Sequence, residues 1–132
     1  SKQQKIHNRA ERSRALFDLS NFQQRVEHII NQWNQNLKTF QKNDLHVILW
    51  GAGSKGVMFL NLVETARAID VVVDINTHKQ GRFLPGTGHQ IVSPSQLAKL
   101  AVDVVIVANP IYKQEVKSLL ISMGHNAPVF SF

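Results

Sequence analysis

The chain has 132 residues, 43% of them hydrophobic and 18% charged, with a net charge of +6 and no cysteine. That is the size and composition of one globular domain, and the missing thiol excludes disulfides, cysteine nucleophiles and thiolate zinc sites. No apolar run approaches the roughly 18 to 20 residues a bilayer span needs and nothing resembles a secretory signal, so a cytoplasmic protein with no membrane partner is expected.

Residues 1–14 hold Lys2, Lys5, Arg9, Arg12 and Arg14 against Glu11 alone. Most of the positive charge is therefore a basic tail on a nearly balanced domain. No basic stripe with interleaved aromatics follows it, which argues against nucleic acid as a partner. Through residue 19 the chain is polar without one clean period, apart from Leu16, Phe17 and Leu19, and it reads as a linker from an upstream domain. Ser20-Asn21-Phe22-Gln23 has the form of a capping box and predicts the start of a long helix. Phe22, Val26, Ile29, Ile30, Trp33, Leu37 and Phe40 then recur at spacings of one, three and four, an apolar stripe running to about Lys42. Trp33 on that stripe is expected in the core.

Asn43-Asp44 breaks the helix, and Leu45 to Trp50 predicts a first strand apolar on both faces, as a central parallel strand requires. It runs into Gly51-Ala52-Gly53-Ser54-Lys55-Gly56, which has the G-x-G-x-x-G spacing of a nucleotide-binding turn. In such a turn Gly51 makes the bend, Gly53 lets main-chain amides approach a phosphate, and Gly56 lets the next helix pack on the strand. Val57, Phe59, Leu60 and Val63 give that helix an apolar face from about Lys55 to Ala68, so its positive dipole end points back at the turn, with the Lys55 charge beside it.

Ile69 to Asp74 predicts a second, β-branched strand. Asp74 ends it 18 residues after Gly56, where a nucleotide fold places a carboxylate to receive ribose hydroxyls; it reads equally as a strand-end acid capping a turn. Residues 76–90 should hold a crossover helix, yet Gly81, Pro85, Gly86 and Gly88 forbid a regular one. A long loop pinned by Phe83 and Leu84 is expected instead, in which Lys79, Gln80 and Arg82 either contact phosphate and sugar or stay solvated. His78 and His89 have no carboxylate between them and do not suggest a metal pair.

Ile91-Val92 predicts a short strand, and Ser93-Pro94 a cap and first-turn proline opening a helix to about Leu100. Asp103 to Ala108 reads as another buried strand, followed by a second cap-and-proline pair, Asn109-Pro110. The next helix carries Ile111, Val116, Leu119, Leu120 and Met123 and ends at Gly124. Ala127 to Phe132 makes a last strand, placed near an edge by Pro128.

Strands alternating with helices predict an α/β fold: a Rossmann-like parallel sheet of about five strands in the order 3-2-1-4-5, helices on both faces, preceded by the long N-terminal helix. The ligand crevice of such a sheet lies outside the carboxyl ends of the first and fourth strands. Three loops should meet there: Gly51 to Gly56, Asp74 to Gly88, and Asn109 to Tyr112, whose ring either stacks on a ligand or covers the sheet edge. No serine elbow, H-E-x-x-H motif or carboxylate pair is present, so no catalytic residue is expected. The S-adenosylmethionine form of the glycine turn usually has an acid just before it, where Leu49-Trp50 stand here.

Four of these segments in order, Trp50 to Gly56, Val73 to Arg82, Leu84-Pro85-Gly86-Thr87 and Val107 to Pro110, resemble the C-terminal domain of sugar C-methyltransferases. The resemblance spans about residues 16 to 132. It implies a Rossmann-like C-terminal domain at residues 20–132, with residues 1–19 leading from a zinc-binding domain and an S-adenosylmethionine domain upstream. The parent enzyme would deprotonate a nucleotide-linked keto-sugar beside its carbonyl and methylate the resulting enolate, in deoxysugar or polysaccharide biosynthesis. The base and the S-adenosylmethionine site would belong to the upstream domain, this domain binding no cofactor or metal and being inactive alone. Its part would be to bind the nucleotide-sugar through Gly51, Gly53, Ser54, Lys55, Gly56, Asp74, Asn76, Lys79, Gln80, Gly81, Arg82, Pro85, Gly86, Thr87, Asn109, Pro110 and Tyr112. Two other readings stand beside it: an independent module binding NAD or another nucleotide, and a scaffold that associates through the long helix.

Overall fold

A computed structural model describes residues Ser1–Phe132 throughout. Helix α1 (Lys2–Lys42) is followed by β1 (Val47–Trp50), α2 (Ser54–Leu62), β2 (Ile69–Val73), β3 (Ile91–Val92), β4 (Val104–Val107), α3 (Lys113–Ser122) and β5 (Val129–Ser131). The five strands are all parallel and lie in the order β3-β2-β1-β4-β5, which is the expected α/β arrangement. Every one of the 41 residues of α1 is helical, so Ser20 caps nothing and the helix does not begin there. The reason lies in composition: residues 2–19 contain no glycine or proline and are rich in Lys, Gln, Ala, Arg and Leu, all good helix formers. The S-x-x-Q box that forms is Ser1–Gln4, with the Gln4 N–H on Ser1 Oγ and the Ser1 amino group on Gln4 Oε1, both at 3.3 Å.

The chain divides into two compact units, Ser1–Gln32 and Trp33–Phe132. The first is helix, with Ile6, Leu16, Phe17, Leu19, Phe22 and Ile29 exposed on its surface. No helix is long and apolar enough to cross a membrane.

In the second unit the sheet is covered on both faces. On one side Trp33, Leu37, Phe59, Leu60 and Leu84 pack against Val47, Leu49, Ile69, Val72 and Ile106. On the other, Leu97, Val116 and Leu120 pack against Ile48, Trp50, Val73, Val105 and Val107. Alternation along β1 and β4 is regular, because side chains of a strand point to opposite faces in turn. Along β2 it is interrupted: Val47 pairs with Ile69 but Ile48 with Val71, a bulge that leaves Asp70 unpaired. The bulge lets both Ile69 and Val72 face the α2 side while Val71 and Val73 face the other. Asp70 turns outward to His46, its Oδ2 being 2.9 Å from His46 Nδ1.

Helix α2 is shorter than expected. It stops at Leu62, Val63 takes an extended conformation (φ −93°, ψ 113°), and a 3₁₀ turn at Ala66–Ala68 leads into β2. This end of α2 is tied to α1: Asn34 Oδ1 accepts from the Thr65 N–H and the Thr65 hydroxyl, each at 3.1 Å. Replacing Asn34 by Ala leaves the half-buried Thr65 N–H without its acceptor, while the Thr65 hydroxyl keeps the Asn34 main-chain carbonyl at 3.3 Å, and we expect a loss of about 1 kcal/mol, read as a lower urea midpoint with unchanged slope. An unshifted midpoint would show that the α1–α2 contact is held by packing alone.

Residues 74–90 form no helix, as the glycines and proline dictate. The loop is held by an isolated bridge between Phe83 and Gln90 and by the Leu84 N–H on the His89 carbonyl at 2.8 Å. Leu84 is buried, but Phe83 is 65% exposed and does not serve as the second pin that its apolarity suggested. Residue 89 is the pin instead, its ring buried with Nε2 3.0 Å from the Ala66 carbonyl. Pro94–Lys99 is a 3₁₀ helix whose start is fixed by the Ser93 N–H on Gln96 Oε1 at 2.8 Å. Gly124, at φ +83°, ends α3, and β5 occupies the sheet edge.

Candidate functional site

The three central strands end together at Trp50, Val73 and Val107, and the chain leaves β1 and β4 toward opposite faces. The gap so produced is a cavity of about 420 Å³. A parallel sheet opens such a crevice wherever neighbouring strands send their connections to different sides.

One wall is the glycine turn. Gly51 bends at φ +116°, its N–H on the Val73 carbonyl at 2.7 Å. A Cβ on Gly56 would lie 2.0 Å from the Gly51 carbonyl oxygen, so helix and strand close on each other as the sequence predicts. Gly53 is different. Its φ is −80°, and a Cβ there would meet nothing within 4 Å. The fold does not require glycine at this position. Gly53 is also the N-cap of α2, and no side chain caps that end. The first amides of a helix have no intrahelical partner, so those at the start of α2 are left with the positive dipole end facing an open site, and Ser54 and Lys55 border it.

The opposite wall comes from the end of β4 and from α3. Val107, Ala108 and Asn109 supply the strand end, with Asn109 Oδ1 accepting the Ile111 N–H at 3.3 Å. Tyr112, Glu115, Val116 and Leu119 line the cavity at the i, i+3, i+4, i+7 spacing of a single helix face. Trp50 and Ile75 complete the lining. The surface is mainly apolar, with Lys55, Asp74 and Glu115 as its charged groups.

Of the residues expected to bind substrate, Gly51, Gly53, Ser54, Lys55, Gly56, Asp74, Asn109 and Tyr112 come together around this cavity. The others lie elsewhere. Asp74 accepts two main-chain bonds, Ala52 N–H on Oδ2 and Asn76 N–H on Oδ1, both at 2.8 Å. Asn76 accepts the His78 N–H at 3.0 Å, Gln80 Nε2 donates to the Asp74 carbonyl at 2.8 Å, and Lys79 Nζ donates to the Ala52 carbonyl at 3.3 Å. Asn76, Lys79 and Gln80 thus wrap the end of β2. Gly81 and Arg82 belong to the loop's ladder with Ile91, and Pro85, Gly86 and Thr87 turn near α2, where a Cβ on Gly86 would meet Asn61 Oδ1 at 3.8 Å. Pro110 opens the 3₁₀ turn Pro110–Tyr112 without lining the cavity.

Trp50, Ile75, Val107, Ala108, Glu115, Val116 and Leu119 were absent from the expected set. Val116 and Leu119 belong to the apolar set that the sequence shows on this helix, and the structure places them beside Tyr112 and Glu115 on a face that also borders the cavity. No group of three or more His, Asp or Glu side chains converges to hold a metal.

The C-methyltransferase C-terminal domain family matches residues 3–127 of the chain. No curated protein matches it in sequence. Among solved structures, the chain resembles UDP-D-quinovosamine 4-dehydrogenase from Vibrio fischeri, with 20% identity and a TM-score of 0.53 over 67% of this chain and 77% of that one. It also resembles RSP, a Rex-family repressor, with 20% identity and a TM-score of 0.53 over 77% of this chain and 52% of that one. The same repressor in complex with β-NADH gives the same identity and TM-score over 77% and 53%. The chain spans about half of the repressor's length. At this identity these neighbours establish the Rossmann-like fold.

Proposed function

Because the chain belongs to the C-methyltransferase C-terminal domain family, we propose that it is the substrate-binding domain of an S-adenosylmethionine-dependent C-methyltransferase acting on a nucleotide-linked keto-sugar. The observation that carries this reading is the cavity at the carboxyl ends of β1 and β4, with Gly53 left open beside uncapped amides. A diphosphate fits the start of α2, where amides and Lys55 supply positive potential. The apolar wall of Trp50, Val107, Tyr112, Val116 and Leu119 suits the flat or ring-bearing parts of the ligand.

The chain's own residues do not fit the methyl donor. Asp74, the carboxylate at the ribose position of a nucleotide fold, has both oxygens on main-chain N–H groups, and no acid precedes the glycine turn. When bound upstream, S-adenosylmethionine supplies the transferred methyl group. This domain binds and orients the sugar nucleotide and helps exclude water, and alone it is inactive.

The second reading, a nucleotide or NAD module, is favoured by the Rossmann-like neighbours, one of which binds NADH. A panel of nucleotide-sugars, free nucleotides, NAD and S-adenosylmethionine, measured by calorimetry, separates the two. Gly53→Ala is the informative variant. Its methyl enters open space in the free domain, so the melting temperature stays within about 2 °C. The same methyl crowds an anion drawn to the amides, and nucleotide-sugar affinity falls roughly tenfold or more. Nucleotide-sugar binding that is indifferent to Gly53→Ala would move the ligand out of this cavity, and tight NAD binding would favour the second reading.

A further inference from the structure

A basic side chain in a loop beside a phosphate-binding turn is naturally read as a ligand contact, and Lys79 is such a residue. Its position is otherwise. Lys79 is half-buried, pairs with no carboxylate, and does not line the cavity; its ammonium reaches back to the Ala52 carbonyl at 3.3 Å. From the other side the Asp74 carboxylate takes the Ala52 N–H at 2.8 Å. One residue of the glycine turn is therefore gripped at both its donor and its acceptor by two charged groups that lie five positions apart on the same loop.

The geometry has a consequence for the next residue. A trans peptide is planar, with its C=O and N–H pointing opposite ways. Turning the Ala52 carbonyl toward Lys79 aims the Gly53 N–H away from the Lys79 loop. Gly53 has no Cβ to resist rotation of that peptide, so the orientation needs an external hold. The hold is itself secured: Asn76 N–H binds Asp74 Oδ1, the Lys79 N–H binds the Asn76 carbonyl at 3.0 Å, and Gln80 binds the Asp74 carbonyl.

We infer that Asp74 and Lys79 are positioning residues that clamp Ala52 as one unit, Asp74 holding the Gly51–Ala52 peptide by its N–H and Lys79 the Ala52–Gly53 peptide by its C=O, and that Lys79 thereby sets the anion affinity of the glycine turn without touching the ligand. The second half of this inference rests on the proposed nucleotide-sugar site; the first does not.

The test uses the 132-residue chain with Lys79→Met, which keeps the stem and removes the donor, and Lys79→Arg, which restores a donor. Hydrogen exchange in the absence of ligand is read by NMR. In Lys79→Met the Ala52 amide, which keeps its Asp74 acceptor but belongs to a residue released at its carbonyl, exchanges roughly three- to tenfold faster, while core-strand amides such as those of Leu49 and Ile106 do not change. Lys79→Arg returns the Ala52 rate toward that of the unsubstituted chain. Uridine diphosphate is the binding probe. Its affinity falls in Lys79→Met by a similar factor, with the salt dependence of binding retained, because no ligand charge contact has been lost.

An unchanged Ala52 rate in Lys79→Met overturns the inference whatever binds. A weakened probe with flattened salt dependence and unchanged exchange also overturns it, and makes Lys79 a direct phosphate contact. Faster Ala52 exchange in a chain that binds no uridine diphosphate upholds the clamp on Ala52 and sinks the nucleotide reading instead.

Discussion

Gly56→Ala is expected to destabilise the chain by about 3 kcal/mol or more, lowering its melting temperature by roughly 10 °C. The added methyl would stand 2.0 Å from the Gly51 carbonyl oxygen and 3.1 Å from its carbon. Relief by a small shift is blocked because the obstacle is main chain held from three directions. The Gly51 N–H is bonded to Val73, its φ of +116° is a conformation that few residues adopt, and the space on its Cα side is filled by Ala108, whose Cβ is 3.1 Å from where a Gly51 Cβ would be. The start of α2 must therefore move off β1, opening contacts on the α2 face of the sheet. Thermal unfolding followed by circular dichroism, with Gly53→Ala as the control in the same turn, measures this directly. A Gly56→Ala chain that melts with the control would mean that the turn is not seated as described.

A comparably large loss, about 3 to 5 kcal/mol, is expected for Trp33→Ala. Trp33 is 8% exposed and meets Phe59 edge-on with ring centroids 5.7 Å apart, and Phe130 at 6.4 Å. Phe59 in turn stacks on Phe132 at 4.3 Å. One indole thus joins α1 to α2 and to the edge strand β5, and its removal leaves a hole bordered by rings that cannot collapse together without moving separate elements. Domains of this size carry about 5 to 15 kcal/mol in all, so the variant should sit near the limit of folding. Phe22→Ala supplies the contrast. Phe22 belongs to the same stripe by spacing but is 58% exposed, and its truncation should cost less than about 0.5 kcal/mol in the isolated chain. Equal effects of the two substitutions in urea titrations would refute the different roles assigned to them.

That contrast marks how far periodicity can be read. Spacing identifies which face of α1 is apolar, but Phe22 and Trp33 look alike on it, and only the position of the sheet separates a buried ring from an exposed one. The missed helical start has a simpler cause. Residues 2–19 have helix-forming composition without an apolar period, so periodicity alone does not mark them as helix. In β2 the bulge at Asp70 reassigns the faces of its neighbours, and a five-residue β-branched run contains no mark of where the extra residue lies.

The glycine turn was legible because its constraints are local. The bend at Gly51 and the close approach of Gly56 follow from steric rules that act within a few residues. Strand order was legible too, since right-handed crossovers between short connections leave few arrangements. The set of residues facing the cavity was not. Asp74, Asn76, Lys79 and Gln80 have the chemistry of ligand contacts, yet four hydrogen bonds commit them to the turn and to each other, while Glu115 and Leu119 reach the site from a helix more than fifty residues beyond the turn. The sequence alone determined the parallel α/β sheet and the glycine turn at its centre. The tertiary structure decided which polar groups remain free for a ligand, because the partner of a side chain is set by which strands lie side by side, here β1 next to β2, and not by its neighbours along the chain.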